Sequence, residues 1–80
     1  MSLFEIRVTN NTASATAFYL EPWGGKYTVP SRGALRVVIE SPSYPVLEWE
    51  VAEGTHALVV HEPAGASATV YDGETEARAE

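Results

Sequence analysis

Along this chain apolar side chains alternate with polar ones in short stretches, and Gly, Pro or Asn interrupts the alternation about every ten residues. Successive side chains of an extended strand point to opposite faces, so each such stretch has one apolar and one polar face. The clearest runs from Ala34 to Glu40, with Leu35, Val37 and Ile39 on one side and Arg36 and Glu40 on the other. Phe4, Ile6 and Val8 against Glu5, Arg7 and Thr9 predict a first strand. It stops at Asn10-Asn11-Thr12, residues suited to Asx turns and left-handed backbone. Thr16 to Glu21 predicts a second strand, with Phe18 and Leu20 facing away from Tyr19.

The turn residues set the connections. Gly24-Gly25 predicts a two-residue hairpin, because a type I′ turn needs positive φ at both central positions, and Lys26 to Val29 then forms the third strand. Pro22 has no N–H for a ladder, which implies a bulge or a sheet edge at the end of the second strand. Pro30-Ser31-Arg32-Gly33 turns the chain into the Ala34–Glu40 strand. Ser41-Pro42-Ser43-Tyr44-Pro45 is too rigid and too long for a tight hairpin and predicts an arch to a second sheet. Leu47, Trp49 and Val51 against Glu48 and Glu50 predict a fifth strand with Trp49 in the core. His56 to His61, with Ala57-Leu58-Val59-Val60 at its centre, predicts a sixth buried on both faces. After Glu62-Pro63-Ala64-Gly65, Ala66 to Tyr71 predicts a seventh.

Residues 72–80 carry charge and no large apolar side chain, so a flexible acidic tail is expected there in preference to a helix. The expectation is an all-β domain over residues 1–71. It is a small antiparallel two-sheet β-sandwich of about seven short strands, immunoglobulin-like or cupredoxin-like without a copper site.

Composition narrows the possible partners. The chain has 80 residues, near the size at which one core only just offsets the entropy of ordering it. It contains no Cys, which excludes disulfides, thiolate zinc sites and the Cys-containing copper site of cupredoxins. Eleven Asp and Glu against five Lys and Arg give a formal charge of −6, unfavourable for nucleic acid or an anionic membrane surface. No apolar run approaches the roughly 20 residues of a membrane-spanning helix, and alternation begins at once with no basic-then-apolar leader. A soluble, cytoplasmic protein is expected.

Few residues suggest chemistry. His56 and His61 are separated by an odd number of positions and face opposite ways on a regular strand, so they cannot share one metal ion without a bulge. His61 with Glu62 and Glu48 or Glu50 offers a partial ligand set without the coherent spacing of a zinc or copper site. Glu48 and Glu50, about 7 Å apart by strand geometry, have a separation found in glycosidases, but alternating Glu also keeps an exposed strand from pairing with others. No nucleophile elbow is present. Asn10-Asn11-Thr12 matches the glycosylation sequon and is read as a turn.

The run Leu20-Glu21-Pro22-Trp23-Gly24-Gly25-Lys26-Tyr27, with Val29-Pro30 and Gly33 after it, resembles a pattern found in short, stand-alone, uncharacterised bacterial all-β proteins. The resemblance brings no activity, cofactor or site residue with it. Physically, the same run places Trp23 and Tyr27 beside a hairpin, where flat rings make recognition contacts at low entropic cost or cap the end of the core.

The expectation is a non-enzymatic binding or assembly module without a cofactor. Its candidate surfaces are the Trp23/Tyr27 hairpin end, with Glu21, Lys26 and Tyr44, and exposed strand edges. A protein partner or a homodimer is expected. The alternatives are a carbohydrate-binding module using Trp23, Tyr27 and Tyr44, and a metal protein or metal-dependent enzyme using His56 or His61.

Overall fold

The computed structural model describes residues 2–61 and 64–80. Eight strands follow one another: β1 (Ser2–Thr9), β2 (Thr16–Glu21), β3 (Gly25–Val29), β4 (Ala34–Ser41), β5 (Val46–Ala52), β6 (Thr55–His61), β7 (Ser67–Asp72) and β8 (Thr75–Glu76). They form two four-stranded sheets, one in the order β1-β4-β7-β8 and the other β3-β2-β6-β5. The alternation read from the sequence sets the inner faces. Leu35, Val37, Ile39 and Val70 of the first sheet meet Phe18, Leu20, Val29, Leu58 and Val60 of the second in one core. Hydrophobic burial between stacked pleated layers holds this β-sandwich together, as the sequence predicts.

The two sheets are joined by the predicted turn and arch. At Pro30–Gly33, the Gly33 amide donates to the Pro30 carbonyl at 2.9 Å, and Arg32 takes the left-handed conformation with φ 61°. A Cβ on Gly33 would sit 2.8 Å from Pro30 Cγ, so the turn closes only around a glycine. The arch starts at Ser41, whose buried hydroxyl donates to the Ser43 carbonyl at 2.6 Å, and delivers the chain to β5 in the other sheet.

Four expectations need correction. The Gly24-Gly25 hairpin is a longer turn: Gly25 already pairs with Leu20, and the Gly24 amide donates to the Leu20 carbonyl at 2.7 Å. Only Gly24 needs positive φ, at 84°, while Gly25 belongs to β3. The sandwich is not wholly antiparallel, because β6 lies parallel to β2, aligning Tyr19 with Ala57 and Glu21 with Val59. Side-chain alternation fixes faces but not which sheet edge a returning strand joins; after the arch, β6 comes back along the edge of β2 that β3 leaves free.

The third correction concerns residues 72–80, which are docked. Asp72 ends β7, β8 pairs with it, the Ala77 amide donates to the Val70 carbonyl at 2.8 Å, and the Glu80 amide donates to the Lys26 carbonyl at 2.8 Å. Ala77 packs against the core, and Ala79 passes so close to Gly25 that a Cβ there would lie 3.0 Å from it. Small side chains, which made this segment look structureless, let it lie flat across the sandwich from the first sheet to the β3 edge of the second. The fourth correction is Trp49, expected in the core but 47% exposed. Part of the predicted last turn, Glu62-Pro63, lies outside the described residues.

Candidate functional site

The C-terminal segment closes one side of the sandwich, whereas the opposite side is open. There the edges are β1 of one sheet and β5 of the other. The inner side chains of β1, Phe4, Ile6 and Val8, are only half-buried, and all seven residues of β5 are exposed. Leu47, Trp49 and Val51 align with Val60, Leu58 and His56 of β6, so they continue the inner face of their sheet beyond the cover of the other. Val51 is 67% exposed, and Val46, on the other face of the strand, 66%.

One end of this open side is built by Asn10. Its main chain continues β1, with the amide donating to the Gly33 carbonyl at 2.8 Å, and its side chain reaches across to the other sheet. The carboxamide nitrogen shares its two hydrogens among the carbonyls of Ser14 (2.9 Å), Val29 (3.1 Å) and Pro30 (3.2 Å). Its oxygen accepts the Thr12 amide at 3.0 Å, which is the Asx turn expected from the sequence. Ser31 donates its hydroxyl to the Thr12 carbonyl and Arg32 its guanidinium to that of Asn11, both at 2.8 Å, tying the two loops together. The sequon asparagine is thereby 4% exposed and a structural knot.

Above this knot lies a cleft of about 300 Å³ between Val8 and Thr9 of β1 and Trp49 and His56 of the other sheet, with Phe18 and Val29 behind them. The Trp49 ring is tilted against Phe18 (6.2 Å between centroids) and His56 (5.7 Å). Phe18 and the Trp49–Leu58 rung thus support the indole from below and leave its outer half in the cleft. His56 Nδ1 is buried and has no hydrogen-bond partner among the described residues.

The residues singled out in the sequence are dispersed. Tyr27 faces inward, its ring stacked on Phe18 at 5.8 Å and lying over Gly25, so it belongs to the core margin and not to an exposed platform. Trp23 stands 44% exposed at the β2–β3 turn. Tyr44 lies in the arch before β5 and packs on Phe4 with centroids 5.1 Å apart. Because β3 and β5 are opposite edges of one sheet, Tyr27 and Tyr44 do not meet, and the three rings form no common stacking surface. Lys26 and Glu21 lie on the outer face of that sheet, Lys26 opposite Tyr19 and Glu21 beside Val59.

The two histidines diverge as the strand period requires. His56 turns inward to Trp49, and His61 turns outward, where its Nε2 lies 2.7 Å from Glu48 Oε1. Among the described residues no group of three or more His, Cys, Asp or Glu is placed to hold a metal ion, and Glu62 lies outside them. Glu48 and Glu50 point away from the cleft, on the outer face of an exposed strand.

Leu47, Trp49 and Val51 join the candidate surface although the sequence alone assigns them to the core face of a strand. Their alternation was clear; their exposure depends on β5 being an edge that the other sheet does not cover. Among the described residues no helix is long and apolar enough to cross a membrane. Compared with known proteins, the chain matches no family model, and neither a curated protein nor a solved structure shows significant similarity to it.

Proposed function

We propose that this protein is a non-enzymatic binding module of the cytoplasm that takes a protein segment along the open β1/β5 side. The observation that carries the reading is β5 itself: an edge strand exposed over its whole length that nevertheless displays Leu47, Trp49 and Val51 on one face. An edge strand offers a row of unpaired N–H and C=O groups, the usual template for adding a strand from another chain. The apolar side chains beside that row supply the burial that backbone pairing lacks, at about 25 cal/mol per Å² of surface removed from water. The cleft beside Trp49 receives an apolar side chain of the same segment.

The hairpin end with Trp23 is the weaker surface, since its second ring, Tyr27, is spent on the core. The carbohydrate reading loses its three-ring platform for the same reason. Selection of binders from a library of displayed, unstructured peptides tests the proposal. Selected peptides are expected to perturb the amide resonances of β5 and to lose binding when Leu47→Lys and Val51→Lys are combined. Perturbations centred on Trp23 and indifferent to that double variant would refute it.

A further inference from the structure

The charge pattern around β5 selects among possible occupants of the edge. The strand reads Val-Leu-Glu-Trp-Glu-Val-Ala, with two glutamates and no cation. Both glutamates lie on its outer face, and the acidic surface continues inward across the sheet, because Val59 of β6 is flanked by Glu48 on one side and Glu21 on the other. Glu48 has one oxygen engaged by His61 at 2.7 Å, and both glutamates are exposed on the face that the outer side chains of an added strand would share.

A second copy of the chain fits this edge poorly. In an antiparallel pair, residues directly opposite share a face, so two β5 strands can keep their apolar faces together only in alternate registers. With the two-fold axis at Trp49, Glu48 stands opposite the second copy's Glu50, twice. With the axis at Glu48 or at Glu50, that residue stands opposite itself; with the axis at Leu47 or Val51 the glutamates avoid each other, but only three residues of each β5 strand then pair. Like charges directly opposite on neighbouring strands are destabilising, and the formal charge of −6 on each chain adds repulsion at longer range.

From this we infer that the segment accepted by β5 is cationic and alternating, with Lys or Arg facing Glu48 and Glu50 and apolar side chains facing Leu47, Trp49 and Val51. The inference rests on the reading of β5 as the docking edge. Backbone pairing supplies attachment, the apolar face supplies burial, and the glutamates choose the partner by charge. The same glutamates that discourage self-association thus become the recognition element.

The test uses the full chain with Trp23→Phe, which leaves Trp49 as the sole indole reporter, and two capped peptides as long as β5, one alternating Lys with Val and one alternating Glu with Val. The Lys peptide is expected to shift Trp49 emission saturably and to bind at least roughly tenfold more tightly than the Glu peptide, an advantage that shrinks as salt rises. In the doubly reversed variant Glu48→Lys with Glu50→Lys, both on an exposed strand, the preference is expected to invert. Equal binding of both peptides overturns the charge inference while leaving the docking edge standing. Failure of both peptides to bind overturns the docking edge as well. A dimer in sedimentation that Val51→Lys dissociates replaces the cationic segment with a second copy of this chain.

Discussion

At the scale of single residues, the sandwich depends on side chains that do two jobs at once. Asn10 satisfies carbonyls of three different residues while its own oxygen closes an Asx turn. Replacing it with Ala strands those groups in a buried place, so Asn10→Ala is expected to cost about 2–4 kcal/mol in urea unfolding. Asn11→Ala, at an exposed site that contributes only its carbonyl, should change stability by less than about 0.5 kcal/mol. The aromatic residues divide in a similar way. Phe18, 1% exposed and touched by both Tyr27 and Trp49, should lose about 3–5 kcal/mol on truncation to Ala. Trp49→Ala should lose only about 1–2 kcal/mol, because half of its ring already contacts water. Equal losses at the two positions in thermal or urea unfolding would place Trp49 in the core after all. The role of Asn10 was legible as a turn in the Asn10-Asn11-Thr12 string. Its reach to Val29 and Pro30 was not, because that contact spans some twenty residues of chain and exists only after both turns have formed.

At the scale of elements, strand positions were legible because the period-two pattern acts locally: β2 begins and ends at the residues the alternation marked, and the Ser41–Pro45 arch changes sheets as its rigidity implied. What alternation cannot encode is the neighbour of each strand. The parallel pairing of β2 with β6 and the edge position of β5 follow from how the chain crosses between sheets. The exposure of Leu47, Trp49 and Val51 is a consequence of that order. The docking of residues 72–80 is hidden in the sequence for a different reason. The alanines of this segment bury little surface each, so composition suggested a tail, yet their small size permits the close approach to Gly25 and the bond from the Glu80 amide to the Lys26 carbonyl. Deleting residues 74–80 should therefore destabilise the domain by about 1–2 kcal/mol, or about 5–10 °C in melting temperature for a chain of this size. A melting temperature unchanged by the deletion would mean that the segment does not close the sandwich.

At the scale of the whole molecule, the two long sides of the sandwich are managed differently. One is closed by residues 73–80, whose Glu80 amide bonds to the Lys26 carbonyl at the β3 edge. The other leaves β1 and β5 apart over a cleft, with apolar side chains on its margin and an acidic outer face beside it. The net charge of −6 repels other copies of the chain while this edge stays exposed. Amide hydrogen exchange followed residue by residue by NMR distinguishes the closed side from the open one. Slow exchange is expected along β4 and β7 and at Ala77, whose amide bonds to Val70, together with fast exchange at every second amide of β5, the ones directed away from β6. Uniform protection of β5, or an Ala77 amide that exchanges as fast as an unfolded chain, would contradict this difference between the sides.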